Sequence, residues 1–149
     1  MKLMIFAPLE ILAEVDGVAH VRAEDATGAF GILPGHADFL TVLSTSVLTW
    51  RDEAGREHHA AVRGGVFETR GGHTISIATR EAVLGDDLKR LESEILSRFR
   101  REAEQERTAR TDAERLYLTA LQRIIRYLRP ERRSRLLGPL DSSARRGTP

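Results

Sequence analysis

Five histidines are the residues of this 149-residue chain best suited to chemistry near neutral pH. His36 follows a Pro-Gly turn in the stretch GILPGHADFLTVL, and Asp38 stands two residues further along. A histidine at the tip of a turn could be a general base, a metal ligand or a residue that contacts a partner. The chain has no G-x-S-x-G motif to hold a serine nucleophile, so a catalytic triad has no local support.

The other histidines do not form a pattern typical of a metal site. His58 and His59 are adjacent in a strand-like run, so their side chains point to opposite faces and cannot hold one ion together. His20 and His73 lie in separate strand-like segments without clustered carboxylates. The absence of cysteine excludes disulfides, thiolate metal sites and cysteine nucleophiles. The sequence therefore predicts neither a catalytic residue nor a metal site.

Composition is that of a soluble, unexported globular protein, with 41% hydrophobic and 30% charged residues. No apolar run reaches the roughly 20 residues that span a bilayer. The net charge of +1 hides an asymmetry, because residues 1–84 carry a net charge of −4 and residues 85–135 a net charge of +4. An acidic N-terminal segment and a basic C-terminal segment indicate two parts of the chain with different roles.

Residues 1–84 read as short strands rich in Val, Ile, Thr and Phe, with alternating apolar and polar positions. Glycine-containing turns separate them at the short spacing of an antiparallel fold, and Gly71-Gly72 fits a two-residue hairpin turn. About eight strands in this length predict an N-terminal antiparallel β-sandwich or flattened barrel, within an overall α+β fold class.

Residues 85–130 read as a helical domain, since no Gly or Pro occurs from Asp86 to Arg129. Apolar residues recur at helical spacing in two stripes, Leu88, Leu91, Ile95, Phe99 and Ala103, then Ala113, Tyr117, Ala120, Leu121, Ile124 and Leu128. Thr111–Glu114 has the spacing of a capping box, which predicts a second helix and a two-helix hairpin. A single continuous helix of about 65 Å, at about 1.5 Å per residue, is the alternative. Residues 131–149 are basic and rich in Gly, Ser and Pro, which predicts a disordered tail.

Arginine supplies 21 of the 23 basic residues, many of them in the helical segment. Interleaved glutamates favour an ordinary solvated helix face, whereas an acidic partner, nucleotide phosphates or nucleic acid would also suit arginine. Nucleic acid is disfavoured, since the helices have few aromatics and the net charge is small. A β-sandwich binding module whose arginine-rich arm holds an acidic partner or nucleic acid stays as an alternative.

Three segments resemble, in order, the epsilon subunit of F-type ATP synthases. TGAFGILPGHADFLTVL (27–43) is similar to that family's G-x-F/L-G-I-L/Y-P-G-H-A-x-x-L-T-x-L pattern, and VRGGVFETRGGHTISIAT (62–79) to its G-G-x-x-E-V-x-x-x-x-V-T-I-L-A pattern. In the third, AVLGDDLKRLESE (82–94), a helix begins directly after the last strand. The resemblance covers residues 2–129.

The resemblance implies a non-catalytic rotor subunit whose sandwich contacts the gamma subunit and the ring of c subunits, on the cytoplasmic side of the bacterial inner membrane. The membrane is reached only through the complex, and no nucleic acid is involved. The Pro-Gly turn would then present the residues expected to touch other subunits, which are Phe30, Ile32, Leu33, Pro34, His36 and Phe39. Ala29 stands where family members often carry an acidic residue facing the ring, so no ion pair is expected there.

The resemblance also implies that the helices either fold into a hairpin or extend toward the alpha and beta subunits and block ATP hydrolysis. The arginines expected to contact those subunits are Arg98, Arg101, Arg115, Arg123 and Arg126. No cofactor is expected, although the family's I/L-D-x-x-R-A motif, which binds regulatory ATP in some members, is matched here without its first and last residues. If ATP did bind, the resemblance implies that Asp87, Arg90, Arg123 and Arg126 would hold it. The arginine-rich helices and basic tail resemble the alternate (N-type) ATPase branch, which leaves proton or sodium coupling open.

Overall fold

A computed structural model describes residues 1–128 of the chain, and the predicted tail at 131–149 lies outside the described residues. Ten strands precede the helical part. They are β1 (Lys2–Ala7), β2 (Glu10–Val15), β3 (Val18–Asp25), β4 (Gly28–Ile32), β5 (Phe39–Leu43), β6 (Ser46–Asp52), β7 (Glu57–Val62), β8 (Gly65–Arg70), β9 (Thr74–Ala78) and β10 (Ala82–Gly85).

The strands form two five-stranded layers, in the orders β10-β7-β6-β3-β4 and β5-β8-β9-β1-β2. The layers are joined where β3 meets β5 through a single pair, Asp25 with Leu43. Every pairing is antiparallel except that of β1 with β9, which is parallel. A parallel pair is possible there because a long stretch of chain, and not a hairpin, connects the two strands.

The core between the layers is aliphatic with few aromatics. Alternate residues of each strand point inward, so that Leu3 and Ile5 of β1 meet Ile75 and Ile77 of β9 and Phe67 of β8 in one buried cluster. The alternation of apolar and polar residues in the sequence thus corresponds to one buried face in each layer. The predicted β-sandwich and the α+β class are confirmed.

The helical part is one long helix. It starts with a short α-helical turn, α1 (Leu88–Arg90), continues through a π-helical turn (Leu91–Ile95) and becomes α2 (Leu96–Leu128). Of the two arrangements expected from the sequence, the structure has the continuous one, and Thr111–Glu114 lies inside α2. No Gly or Pro interrupts this stretch, which is compatible with a helix that continues through Thr111–Glu114.

Residues Met1–Arg107 form one compact unit, which includes the sandwich and the first turns of the helix. In this unit Leu91, Leu96 and Phe99 are buried against Ala61, on the outer face of the β10-β7-β6 layer. A second unit begins at Thr108, and residues 108–128 are exposed throughout. No helix of the described residues is long and apolar enough to cross a membrane.

Candidate subunit-contact surface

The loop of residues 33–38, which contains the Pro-Gly turn, is held against the β8–β9 turn. The N–H of Gly35 donates to the carbonyl of Gly72 at 2.7 Å, and the N–H of Gly71 donates to Oδ1 of Asp38 at 2.8 Å. A Cβ built on Gly72 would lie 2.9 Å from the Cα of Gly35, so only glycine allows this approach. The two turns therefore form one rigid end of the sandwich.

His36 is exposed in this loop. Its backbone N–H donates to the carbonyl of Leu33 at 3.1 Å, and its Nδ1 donates to the carbonyl of Ala37 at 2.7 Å. Nε2 has no hydrogen-bond partner among residues 1–128. Within the same residues, no group of three or more His, Asp or Glu side chains is placed to hold a metal. The arrangement orients the imidazole outward, as suits a contact residue.

The predicted contact residues divide between core and surface. Leu33 is 59% exposed, whereas Ile32 is 1% exposed and belongs to the core. Phe30 and Phe39 are half-buried, with ring centroids 5.4 Å apart, and both rings meet buried Phe67 edge-on. The structure thus exposes Leu33, Pro34 and His36, whereas Phe30 and Phe39 are half-buried and Ile32 is buried. The ring of Phe39 also meets that of His36, with centroids 6.0 Å apart.

A further apolar surface lies on the outer face of the β5-β8-β9-β1-β2 layer. Strand register places one residue from each strand in a continuous cross-strand row, which we call the apolar row: Val42, Val66, Ala78, Phe6 and Ile11. Val42 is 70% exposed and Ile11 is 67% exposed, and Leu40 and Leu9 flank the row. An ordered apolar strip on a rigid sheet is typical of a protein–protein contact.

Sequence reasoning missed the apolar row. Its members alternate with core residues along each strand, and that alternation was readable for β5 and β9. The row itself depends on the parallel pairing of Phe6 with Ala78, and no local sequence signal specifies that register.

Of the arginines expected to contact other subunits, one is held in ion pairs and four are exposed. Arg98 forms ion pairs with Glu81 at 2.6 Å and with Glu102 at 3.8 Å, so its guanidinium is already engaged. Arg101 is exposed on the first unit. Arg115, Arg123 and Arg126 are exposed on the second unit. The exposed ones are available to an acidic partner.

Two of the four residues expected to hold nucleotide, Asp87 and Arg90, make contacts within the first helical turns. Oδ1 of Asp87 accepts from the N–H of Arg90 at 3.2 Å, which caps the first helical turn. Nε of Arg90 lies 3.3 Å from a carboxylate oxygen of Glu94. Both residues border a hollow of about 270 Å³ at the β10–α1 junction. Nucleotide binding stays a prediction, and Arg123 and Arg126 belong to the second unit.

Comparison with known proteins gives consistent matches. Residues 1–85 match the model of the ATP synthase delta/epsilon chain β-sandwich domain. An "ATP synthase epsilon chain 2" of Paraburkholderia xenovorans is 42% identical over 132 residues, covering 89% of this chain and 95% of that protein. An "ATP synthase epsilon chain 2" of Cereibacter sphaeroides is 42% identical over 126 residues, covering 85% and 86%.

Two solved structures of mitochondrial ATP synthases contain a chain with a similar fold. A chain of the Euglena gracilis ATP synthase OSCP/F1/c-ring structure superposes with a TM-score of 0.55 at 23% identity, covering 71% of this chain and 62% of that chain. A chain of the Tetrahymena thermophila ATP synthase central stalk and c-ring gives 0.50 at 19% identity, covering 63% and 71%. At such identities the likeness shows the fold alone. On the sequence matches, the chain belongs to the ATP synthase delta/epsilon chain family.

Proposed function

We propose that the chain is a non-catalytic central-stalk subunit of an F-type ATP synthase, linking the gamma subunit to the c-ring in rotary ATP synthesis and hydrolysis. Two observations support this role: the chain belongs to the family, and its relatives, matched over most of their length, are named epsilon chains. The chain would lie on the cytoplasmic side of a bacterial inner membrane, attached through the complex.

The apolar row is the observation that carries the proposal. Five adjacent strands present the row on one rigid face. A partner can therefore cover it without the loss of conformational entropy that ordering a loop would cost. Val42 and Ile11 are the most exposed members, and covering them removes apolar area from water. The gamma subunit is the partner that we propose for this face.

The c-ring contact is proposed for the end of the sandwich that carries the Pro-Gly loop. Leu33, Pro34 and His36 are exposed there on a backbone fixed by the β8–β9 turn. Exposed Ala29 offers no charge on the neighbouring strand. The ring contact would therefore rest on apolar packing and on the His36 imidazole instead of an ion pair at position 29.

The helical arm is proposed to restrain ATP hydrolysis. Arg115, Arg123 and Arg126 are exposed beside apolar residues of α2, including Ile124 at 53% exposure. A helix with both features suits a groove lined by carboxylates and apolar side chains, which we place on the alpha and beta subunits. Arg98 is left out of this contact because the first unit already pairs it.

The role is tested by purifying the affinity-tagged chain from membranes of its own host. Gamma, alpha, beta and c subunits should be recovered with it after extensive washing. Recovery of the chain alone, from membranes in which the ATP synthase is intact, would overturn the rotor proposal. Salt-sensitive recovery of RNA or DNA instead would favour the binding-module alternative.

The restraint is tested separately by deleting Thr108–Pro149, which leaves the compact unit and its core intact. The complex should assemble normally, and its ATP hydrolysis should rise severalfold because the arm is gone. Normal assembly with unchanged hydrolysis would reject the inhibitory arm and leave the rotor role standing.

A further inference from the structure

A cluster of ion pairs joins the helix to the sandwich within the first unit. Arg63, in the link between β7 and β8, places Nη1 3.1 Å from Glu102 and Nη2 2.6 Å from Glu106. Its side chain is only 14% exposed. The guanidinium is therefore partly withdrawn from water and depends on these two helix carboxylates for compensation.

Two more arginines complete the cluster. Arg80 reaches Glu106 at 3.3 Å, and Arg98 reaches Glu81 at 2.6 Å from the helix side. Glu81 also lies 3.9 Å from Arg63. We call the whole set the ionic clamp: Arg63, Arg80, Glu81, Arg98, Glu102 and Glu106. Its three positive and three negative charges balance, and they tie two loops of the sandwich to three successive turns of α2.

The ionic clamp adjoins an apolar contact, since the guanidinium of Arg98 lies 5.1 Å from the centroid of the Phe99 ring. Phe99 is fully buried against the outer face of β7, next to Leu96 and above Ala61. The salt-bridge hydrogen bond from Arg63 also lowers the pKa of Glu106 from its ordinary value. Exposed pairs contribute little singly, but a network around a half-buried arginine is more strongly coupled.

We infer that the ionic clamp fastens the helix to the sandwich as far as Glu106, so that rearrangement of the arm is confined to residues beyond Arg107. The last carboxylate of the clamp and the end of the compact unit are one residue apart. This inference concerns the isolated chain and does not depend on the proposed function.

The chain contains no cysteine, so a single introduced thiol can report on helix docking. Ala61→Cys places a thiol beneath the docked helix, whereas Ala60→Cys places one in the core between the two layers. Opening of the helix exposes only the first thiol, and global unfolding exposes both. Thiol-labelling rates of the two variants therefore separate local undocking from unfolding.

Arg63→Ala is then added to each variant of the full chain. The clamp predicts that labelling at position 61 accelerates about tenfold or more, because three carboxylates lose their shared cation, while labelling at position 60 stays slow. Arg51→Ala is the matched control, since it removes an ion pair with Glu57 on the same layer away from the helix. It should leave both rates unchanged.

Unchanged labelling at position 61 in the Arg63→Ala background would overturn the inference. Equal acceleration at both positions would also overturn it, because Arg63 would then stabilise the whole fold instead of docking the helix. Hydrogen exchange of the cysteine-free chain gives a second measurement, in which amides of 96–106 should exchange about tenfold more slowly than those of 111–128. Uniform exchange along α2 would contradict a boundary at Arg107.

Discussion

The N–H of Gly35 donates to the carbonyl of Gly72 at 2.7 Å, which joins the Pro-Gly loop to the β8–β9 turn. The approach needs glycine at position 72, where a Cβ would lie 2.9 Å from the Cα of Gly35. This backbone contact makes the exposed end of the sandwich rigid. Because this end is rigid, a partner can bind Leu33 and His36 without the loss of conformational entropy that ordering a flexible loop would cause.

Gly72→Ala should lower the free energy of unfolding by about 2–3 kcal/mol. The new Cβ meets Gly35 at 2.9 Å, and the backbone φ of +72° adds about 1 kcal/mol of strain. Gly55→Ala is the matched control, because its φ is +83° and nothing lies within 4 Å of its Cβ position. Urea unfolding should separate the two variants by about 1–2 kcal/mol. Equal losses would mean that the close approach to Gly35 contributes nothing.

Val42→Asp should weaken binding of the isolated chain to the gamma subunit about tenfold or more, because it places a charge in the apolar row. Leu84→Asp makes the same change at an exposed leucine of β10, in the other layer, and should bind like the unaltered chain. Titration calorimetry of the three chains measures the difference. Equal weakening by both substitutions would place the contact elsewhere.

Phe99→Ala should reduce the stability of helix docking by about 3–4 kcal/mol, since a fully buried ring is removed from the contact with β7. Tyr117→Ala removes a ring that is 66% exposed and should change stability by less than about 0.5 kcal/mol. Thermal unfolding followed by helical circular dichroism compares them. A Phe99→Ala chain that melts like the Tyr117→Ala chain would show that the first turns of α2 are not held by this ring.

Stability should fall as the pH drops from about 4 toward 2, in part through Asp52. The N–H of Arg56 donates to its carboxylate at 2.9 Å and holds the pKa at about 2, below the ordinary 3.8. A depressed pKa in the folded state contributes stability that is present above pH 4 and is lost as the group takes up a proton. Asp52→Asn should therefore lower the urea midpoint at pH 7 and flatten its decline between pH 4 and 2. An unchanged decline would assign the acid sensitivity to other groups.

Local patterns in the sequence predicted several elements of the fold. Alternation in β9 and the glycine pair at 71–72 predicted a strand and a hairpin turn where the structure has them. The sequence left the choice between a hairpin and a continuous helix open, because the absence of Gly and Pro allows both arrangements.

The site was less predictable because it depends on contacts between distant residues. The place of Ile32 beside the Pro-Gly turn predicts a surface residue, but its position in the alternation of β4 directs it into the core. The sequence predicts that Arg98 contacts another subunit, but the fold brings Glu81 to it from the loop before β10. Strand register and ion pairs between distant residues thus decide which side chains are buried or paired, and a local sequence pattern cannot show this.

The most direct measurement of the central claim is the thiol-labelling rate of a Val42→Cys chain with and without the gamma subunit. Val42 is 70% exposed in the isolated chain, so its thiol should react readily, and saturating gamma should slow the reaction about tenfold or more. Leu84→Cys should react at the same rate in both conditions. Equal labelling of Val42→Cys with and without gamma would contradict the assignment of the apolar row as the docking face of a rotor subunit.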